Sequence, residues 1–90
     1  MQAGAITPEL CAERISAVLR RKFQWMRSAD KWLAGRIGSD VRAAQNYIYG
    51  RHCPPASKLI EMMAECDELA EEINNLVMER RKARDANVRD

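Results

Sequence analysis

The stretch KWLAGRIGSDVRAAQNYIYG, residues 31–50, decides the fold. Trp32, Leu33 and Ile37 share one helical face, and Gly38 supplies the residue that commonly closes a helix in the left-handed conformation. Ser28 offers an N-cap with Asp30 in the first turn, so the spacing predicts a short helix over 29–37. After the turn Gly38-Ser39-Asp40, Asp40 caps a second helix running to about Tyr49. Val41, Ala44 and Ile48 fall on its inner face with Tyr47 beside them. Arg42, Gln45, Asn46 and Tyr49 fall on the opposite face. Gly50 stops this helix, and Pro54 and Pro55 prevent its continuation.

Upstream, Thr7-Pro8-Glu9 is a helix start: a capping hydroxyl, a proline at the first helical position and an acid suited to the dipole. Apolar residues recur near a 3.6-residue period at Cys11, Ile15, Val18, Leu19, Phe23 and Met26, with one break at Lys22, which predicts a helix over 8–24. Trp25 lies in the linker and is expected to join the core. Downstream, a helix begins near Ala56 with Leu59, Ile60, Met62 and Met63 inward. Met62, Cys66, Leu69, Ile73 and Leu76 then form a seam spaced 4, 3, 4, 3. Either Asp67 caps a fifth helix, or one long helix runs from 56 to about 84, with frayed polar residues from Asp85 onward.

Two helices joined by a three-residue turn, with small residues Ala34 and Ala44 where they cross, have the layout of a helix-turn-helix. In that motif the second helix enters the major groove of DNA and its outward residues meet base edges. Arg pairs bidentately with guanine, and Gln or Asn with adenine, because their donors and acceptors match those edges. Arg42, Gln45, Asn46 and Tyr49 are therefore the candidate base contacts. Ser28, Lys31, Arg36, Arg51 and Lys58 flank the second helix and are the candidate phosphate contacts.

With these residues in view, 12–63 resembles the lambda-repressor-like (Cro/repressor, XRE-type) helix-turn-helix regulators of bacteria and their phages. Arg42-Ala43-Ala44-Gln45-Asn46-Tyr47, then Gly50-Arg51 and Pro54, is similar to an RTAQNW..GR..P pattern common in one branch. Ser39 stands where that family usually has a buried aliphatic, and Tyr47 where it has Trp. The resemblance implies an all-α bundle of four to five helices, with 40–49 as the recognition helix.

Charge sharpens the picture. The whole chain of 90 residues carries a formal net charge of only +2. Residues 1–58, however, hold ten bases and four acids, and 59–90 hold five bases and nine acids, so +6 is set against −4. Seven acids and no base occupy 59–79, followed by Arg80, Arg81, Lys82 and Arg84. DNA would repel such an acidic helix, which is expected to point away from the duplex. Its apolar residues Leu69, Ile73, Leu76 and Val77 are the candidate dimer interface, the alternative being packing back on the first helix. A dimer would set two recognition helices roughly 34 Å apart and favour a palindromic operator.

Other classes fall away. No run approaches the roughly 18 apolar residues of a membrane span, and the first residues do not read as a secretory signal. Three cysteines without CxxC spacing point to a reducing compartment and, with the single His52, to no metal site. No phosphate loop, HExxH or nucleophile–base pair is evident, so neither an enzyme nor a cofactor is expected. The sequence thus predicts an all-α lambda-repressor-like domain over 1–66 (motif about 29–50) and an acidic C-terminal dimerisation or partner-binding helix over 67–90. The expected role is sequence-specific double-stranded DNA binding by a small regulator, a repressor in type, cytoplasmic and nucleoid-associated, acting as a homodimer. The competing reading is a protein-interaction module, such as an antitoxin or adaptor, working through the C-terminal helix.

Overall fold

The computed structural model describes residues 5–88, and five helices account for its regular structure, with no strand among them. They are α1 (Pro8–Phe23), α2 (Ala29–Ile37), α3 (Val41–Ile48), α4 (Ala56–Glu65) and α5 (Asp67–Val88). The chain is all-α, as its 3.6-residue periodicity predicts. Fraying is expected from Asp85 onward, but α5 continues to Val88; 89–90 lie outside the described residues.

The caps follow local chemistry. Thr7 Oγ1 accepts from the Leu10 N–H at 3.0 Å, with Pro8 opening α1. Asp40 Oδ1 accepts from the Ala43 N–H at 2.7 Å and so starts α3. Each bond satisfies a donor that the first helical turn leaves without a partner. Ser28 behaves otherwise. It sits in the left-handed region at φ 54° and makes no side-chain cap bond, so α2 starts without the hydroxyl cap expected of it.

Gly38 ends α2 in the left-handed conformation at φ 67°, and the Ser39 N–H donates to the Ala34 carbonyl. Lys58 completes this terminus. Its Nζ donates to the Ile37 carbonyl at 3.1 Å and to the Gly38 carbonyl at 2.8 Å, a cation placed on the negative end of the helix dipole.

The core joins all five helices: Ile15, Leu19, Leu33, Ala44, Met62 and Leu69 are buried together. Ala34 and Ala44 lie fully inside where α2 packs on α3, as a close helix crossing requires. Phe23 and Trp32 meet with ring centroids 5.1 Å apart, and Arg36 lies over the Trp32 ring at 5.3 Å. Four apolar residues depart from expectation. Trp25 is 89% exposed, Ile60 is 64% exposed, and Val41 and Met26, the latter beyond the end of α1, also face solvent. Trp25 lies in the turn beyond the end of α1, Ile60 on the outer side of α4, and Val41 at the first position of α3, where it borders the same hollow as Arg42, Gln45 and Asn46.

The seam from Met62 to Leu76 bends at Cys66. That residue takes an extended conformation (φ −140°, ψ 104°), so α4 and α5 are two helices rather than one. The Cys66 carbonyl accepts from Leu69 and Ala70, opening α5, while its thiol is buried. The sulfur therefore fills the corner between the helices, and burial pushes this thiol up from its ordinary pKa. Leu69 and Leu76 are buried within the chain, since α5 packs against α1 and α4. This corrects the assignment of these two residues to a dimer interface: packing back on the first helix uses them. Burying one such leucine contributes about 1.5–3 kcal/mol.

The acidic run has an intramolecular role as well. Arg14 on α1 bonds Glu72 and, at 2.7 Å, Glu79 of α5. Lys22 pairs with Glu68 at 3.2 Å, and Arg36 approaches Glu65 at 3.7 Å. Four of the seven acids in 59–79 thus face cations of α1 and α2. The Arg14 guanidinium holds Glu79 and Glu72 below the usual carboxylate range. The Arg14 and Lys22 pairs lie along the α1–α5 contact and the Arg36 pair spans α2 and α4; all are part-exposed and therefore individually weak.

Candidate nucleic-acid interface

Capping by Asp40 and the burial of Ala44, Tyr47 and Ile48 set the rotation of α3 about its axis. The residues left outward are Arg42, Gln45, Asn46 and Tyr49, in keeping with the period. Arg42, Gln45 and Asn46 line a shallow concavity with Arg51 and His52 from the loop beyond. Gln45 and Tyr49 also border a second concavity, of about 340 Å³, shared with Arg20 of α1 and with Met26, Ser28 and Asp30 around the α1–α2 turn. The outer ridge of α3 therefore runs between two hollows.

The four outward side chains are not equivalent. Arg42 is exposed, and Tyr49 is 59% exposed with the Arg51 guanidinium 5.3 Å above its ring. Asn46 and Gln45 are half-buried. Gln45 Nε2 donates to Asp30 Oδ2 at 2.8 Å. A primary amide has two N–H donors and a carbonyl, so this bond orients the group and leaves one donor and the acceptor for another partner.

Asp30 is the residue that sequence reasoning missed. The hydrogen bond from Gln45, and then that from the Lys31 N–H (2.9 Å), hold its carboxyl below the ordinary range. It is therefore ionised at neutral pH and uses a donor of the first turn of α2. A phosphate approaching that helix start meets a negative charge, which weakens the case for Ser28 and the α2 N-terminus as a phosphate seat. Its position in the first turn was legible; its bond to a residue fifteen positions later was not.

The cations also divide. Lys31 is exposed in the first turn of α2, and Arg51 is exposed beside the outer face of α3. Lys58 and Arg36 have partners within the fold. Lys58 is held on the α2 carbonyls, because an ammonium satisfies acceptors that a helix end leaves open. Arg36 turns toward Trp32 and Glu65, where ring and carboxylate attract it. Arg20 borders the second hollow and Arg27 is exposed in the turn beside it, two cations not among the expected contacts.

Of the remaining dimer candidates, Val77 is exposed and Ile73 half-buried. With Leu59, Cys11 and Ile6 they line a largely apolar groove of about 360 Å³, edged by Arg81 and Arg84. Cys11 is pushed up to about 11 by burial and by hydrogen bonding with Cys53, so the thiol form dominates at neutral pH. Among the described residues no cluster of His, Cys, Asp and Glu suits a metal ion, and no helix is long and apolar enough to cross a membrane.

No family model matches the chain, and neither the curated proteins nor the solved structures contain a detectable relative.

Proposed function

We propose that this chain binds double-stranded DNA through the outer face of α3, as a small helix-turn-helix regulator of the lambda-repressor-like type. The observation that supports this reading most is the grouping of Arg42, Gln45, Asn46 and Arg51 around one hollow on a helix rigidly capped at Asp40. Placed in a major groove, Arg42 offers a bidentate donor pair to guanine. Gln45, its amide already oriented by Asp30, offers one donor and one acceptor to adenine. Tyr49 and Arg51 lie at the C-terminal end, where a stacked guanidinium meets the phosphate ridge.

The charge distribution supports the same face. Glu65, Glu68, Glu72 and Glu79 are directed at α1 and α2 cations on the far side. Arg20, Arg42 and Arg51 border the two hollows beside α3, and Arg27 and Lys31 are exposed on the turn before α2 and on its first turn. The net +2 thus leaves a positive surface where the duplex would lie.

Selecting bound duplexes from a random pool tests this reading. A defined site should emerge, and Arg42→Ala and Gln45→Ala should each cost about 1–3 kcal/mol of discrimination at a single position. Enrichment of no sequence, with both variants binding as the parent does, would refute it.

Homodimerisation, repressor action on a palindromic site and nucleoid association belong to the same proposal. Val77, Ile73 and the exposed Met78 carry the dimer contact, because Leu69 and Leu76 are used internally. The groove between Ile6 and Val77 favours a second reading, in which a protein partner docks there, as for an antitoxin or adaptor. Removing 67–90 would strip α1 of its partner helix, so Val77→Glu is the cleaner discriminator. Loss of dimer with weaker duplex binding favours the regulator; loss of a protein partner with duplex binding intact favours the module.

A further inference from the structure

The α1–α2 turn carries a side chain that the α3 site does not explain. Trp25 is 89% exposed, although tryptophan is among the residues most covered on average. Its environment is fixed. The Met26 N–H donates to the Phe23 carbonyl at 3.0 Å, Phe23 is buried against Trp32, and Ser28 closes the turn in the left-handed conformation. The turn borders α3 directly, since Met26 and Ser28 share a hollow with Gln45 and Tyr49. Arg20, Arg21 and Arg27 flank the indole in sequence with no acid between Arg14 and Ala29; Asp30 follows and lines the same hollow, so the phosphates would sit on the Arg20 and Arg27 side of the turn.

We infer that this turn is a second DNA contact, in which the Trp25 indole inserts against a base step beside the segment read by α3. The inference rests on the duplex-binding reading of α3. In a helix-turn-helix the first helix of the pair crosses the phosphate ridge, so the turn preceding α2 lies over the backbone toward the neighbouring minor groove. A flat apolar ring flanked in sequence by cations suits a partner that is polyanionic and presents π-faces between its charges. Side chains used as wedges unstack a step and kink the duplex, and stacking of bases on aromatic rings is tolerant of sequence. The contact would therefore add affinity at the flank rather than base specificity. Arg20 and Arg27 would hold the phosphates on either side.

The test uses Trp32→Phe, in which Trp25 is the single tryptophan reporter, after circular dichroism confirms that the variant folds. A long mixed-sequence duplex is titrated at low salt. Trp25 emission should quench and become less accessible to iodide, and Trp25→Ala should bind about 5- to 150-fold more weakly, the range produced by loss of one stacked base. Trp25→Phe should recover most of that loss. Duplex binding with unchanged Trp25 emission and unchanged Trp25→Ala affinity overturns the inference while leaving the α3 reading intact. Absence of duplex binding by the parent chain overturns both. An emission change with vesicles of phosphatidylcholine and phosphatidylserine, and none with duplex, assigns the turn to a membrane surface and overturns the inference.

Discussion

Replacing Gly50 with alanine should destabilise the fold through the joint between α3 and α1. Gly50 has φ 72°, and a Cβ built there falls 2.9 Å from Ser16 Oγ and 3.2 Å from Ser16 Cβ. The backbone contribution is about 1–2 kcal/mol for an L-residue in the left-handed region. Overpacking against the buried Ser16 adds about 1–3 kcal/mol. The sum, about 2–5 kcal/mol, is a large part of the roughly 5–15 kcal/mol available to a small domain. At about 4–8 °C per kcal/mol for this chain length, the midpoint should fall by at least about 8 °C. Thermal and urea unfolding followed by far-ultraviolet circular dichroism measure the change. A double-mutant cycle with Ser16→Ala isolates the contact. Removing the hydroxyl relieves the 2.9 Å approach but not the 3.2 Å one, so Gly50→Ala should cost less in that background without becoming neutral. A Gly50→Ala protein within about 0.5 kcal/mol of the parent would refute the close-approach argument.

Three further outcomes follow from the same geometry. Lys58→Met should lose about 1–2 kcal/mol of stability by uncovering the α2 carbonyls, yet bind duplex as the parent does; weakened duplex binding by the folded variant would restore Lys58 as a phosphate contact. Asp30→Asn should raise affinity for mixed-sequence duplex by removing a charge that opposes phosphate, and a titration showing weaker binding would mean that the carboxylate chiefly serves to place Gln45. Glu72 and Glu79 have folded pKa values below the ordinary 4.5, so their contribution is present above that value and is lost as pH falls through the depressed folded values. Acid unfolding should consequently be less steep in Arg14→Met than in the parent, and identical acid profiles would argue against the clamp.

Much of this architecture was legible because local rules agree. Thr7, Asp40, Gly38 and Gly50 punctuate the chain by cap chemistry and backbone freedom, and the structure puts α2 at the expected residues. The break at Cys66 was not decidable from spacing. The buried seam continues through that residue, with no glycine or proline to mark the bend. Trp25, Val41 and Ile60 show the limit of reading apolar type as core, since exposure depends on where neighbouring helices end. Cation destinations were least legible. Lys58, Arg36 and Arg14 announce positive charge in the sequence, but only the fold pairs them with carbonyls, a ring and carboxylates. The acidic rear helix changed meaning for the same reason: three of its acids, Glu68, Glu72 and Glu79, are the counter-charge of Arg14 and Lys22 on α1.

The most direct test of the central claim is the affinity for duplex DNA measured across salt concentrations for the parent and for Arg51→Ala. With Arg20, Arg27, Lys31 and Arg51 at the phosphate ridge, the logarithm of the binding constant should fall linearly with the logarithm of salt, at a slope of roughly −3 to −4 per protomer. Arg51→Ala should reduce that slope by about 1. No binding at low salt, or binding that is independent of salt in both proteins, would contradict the account.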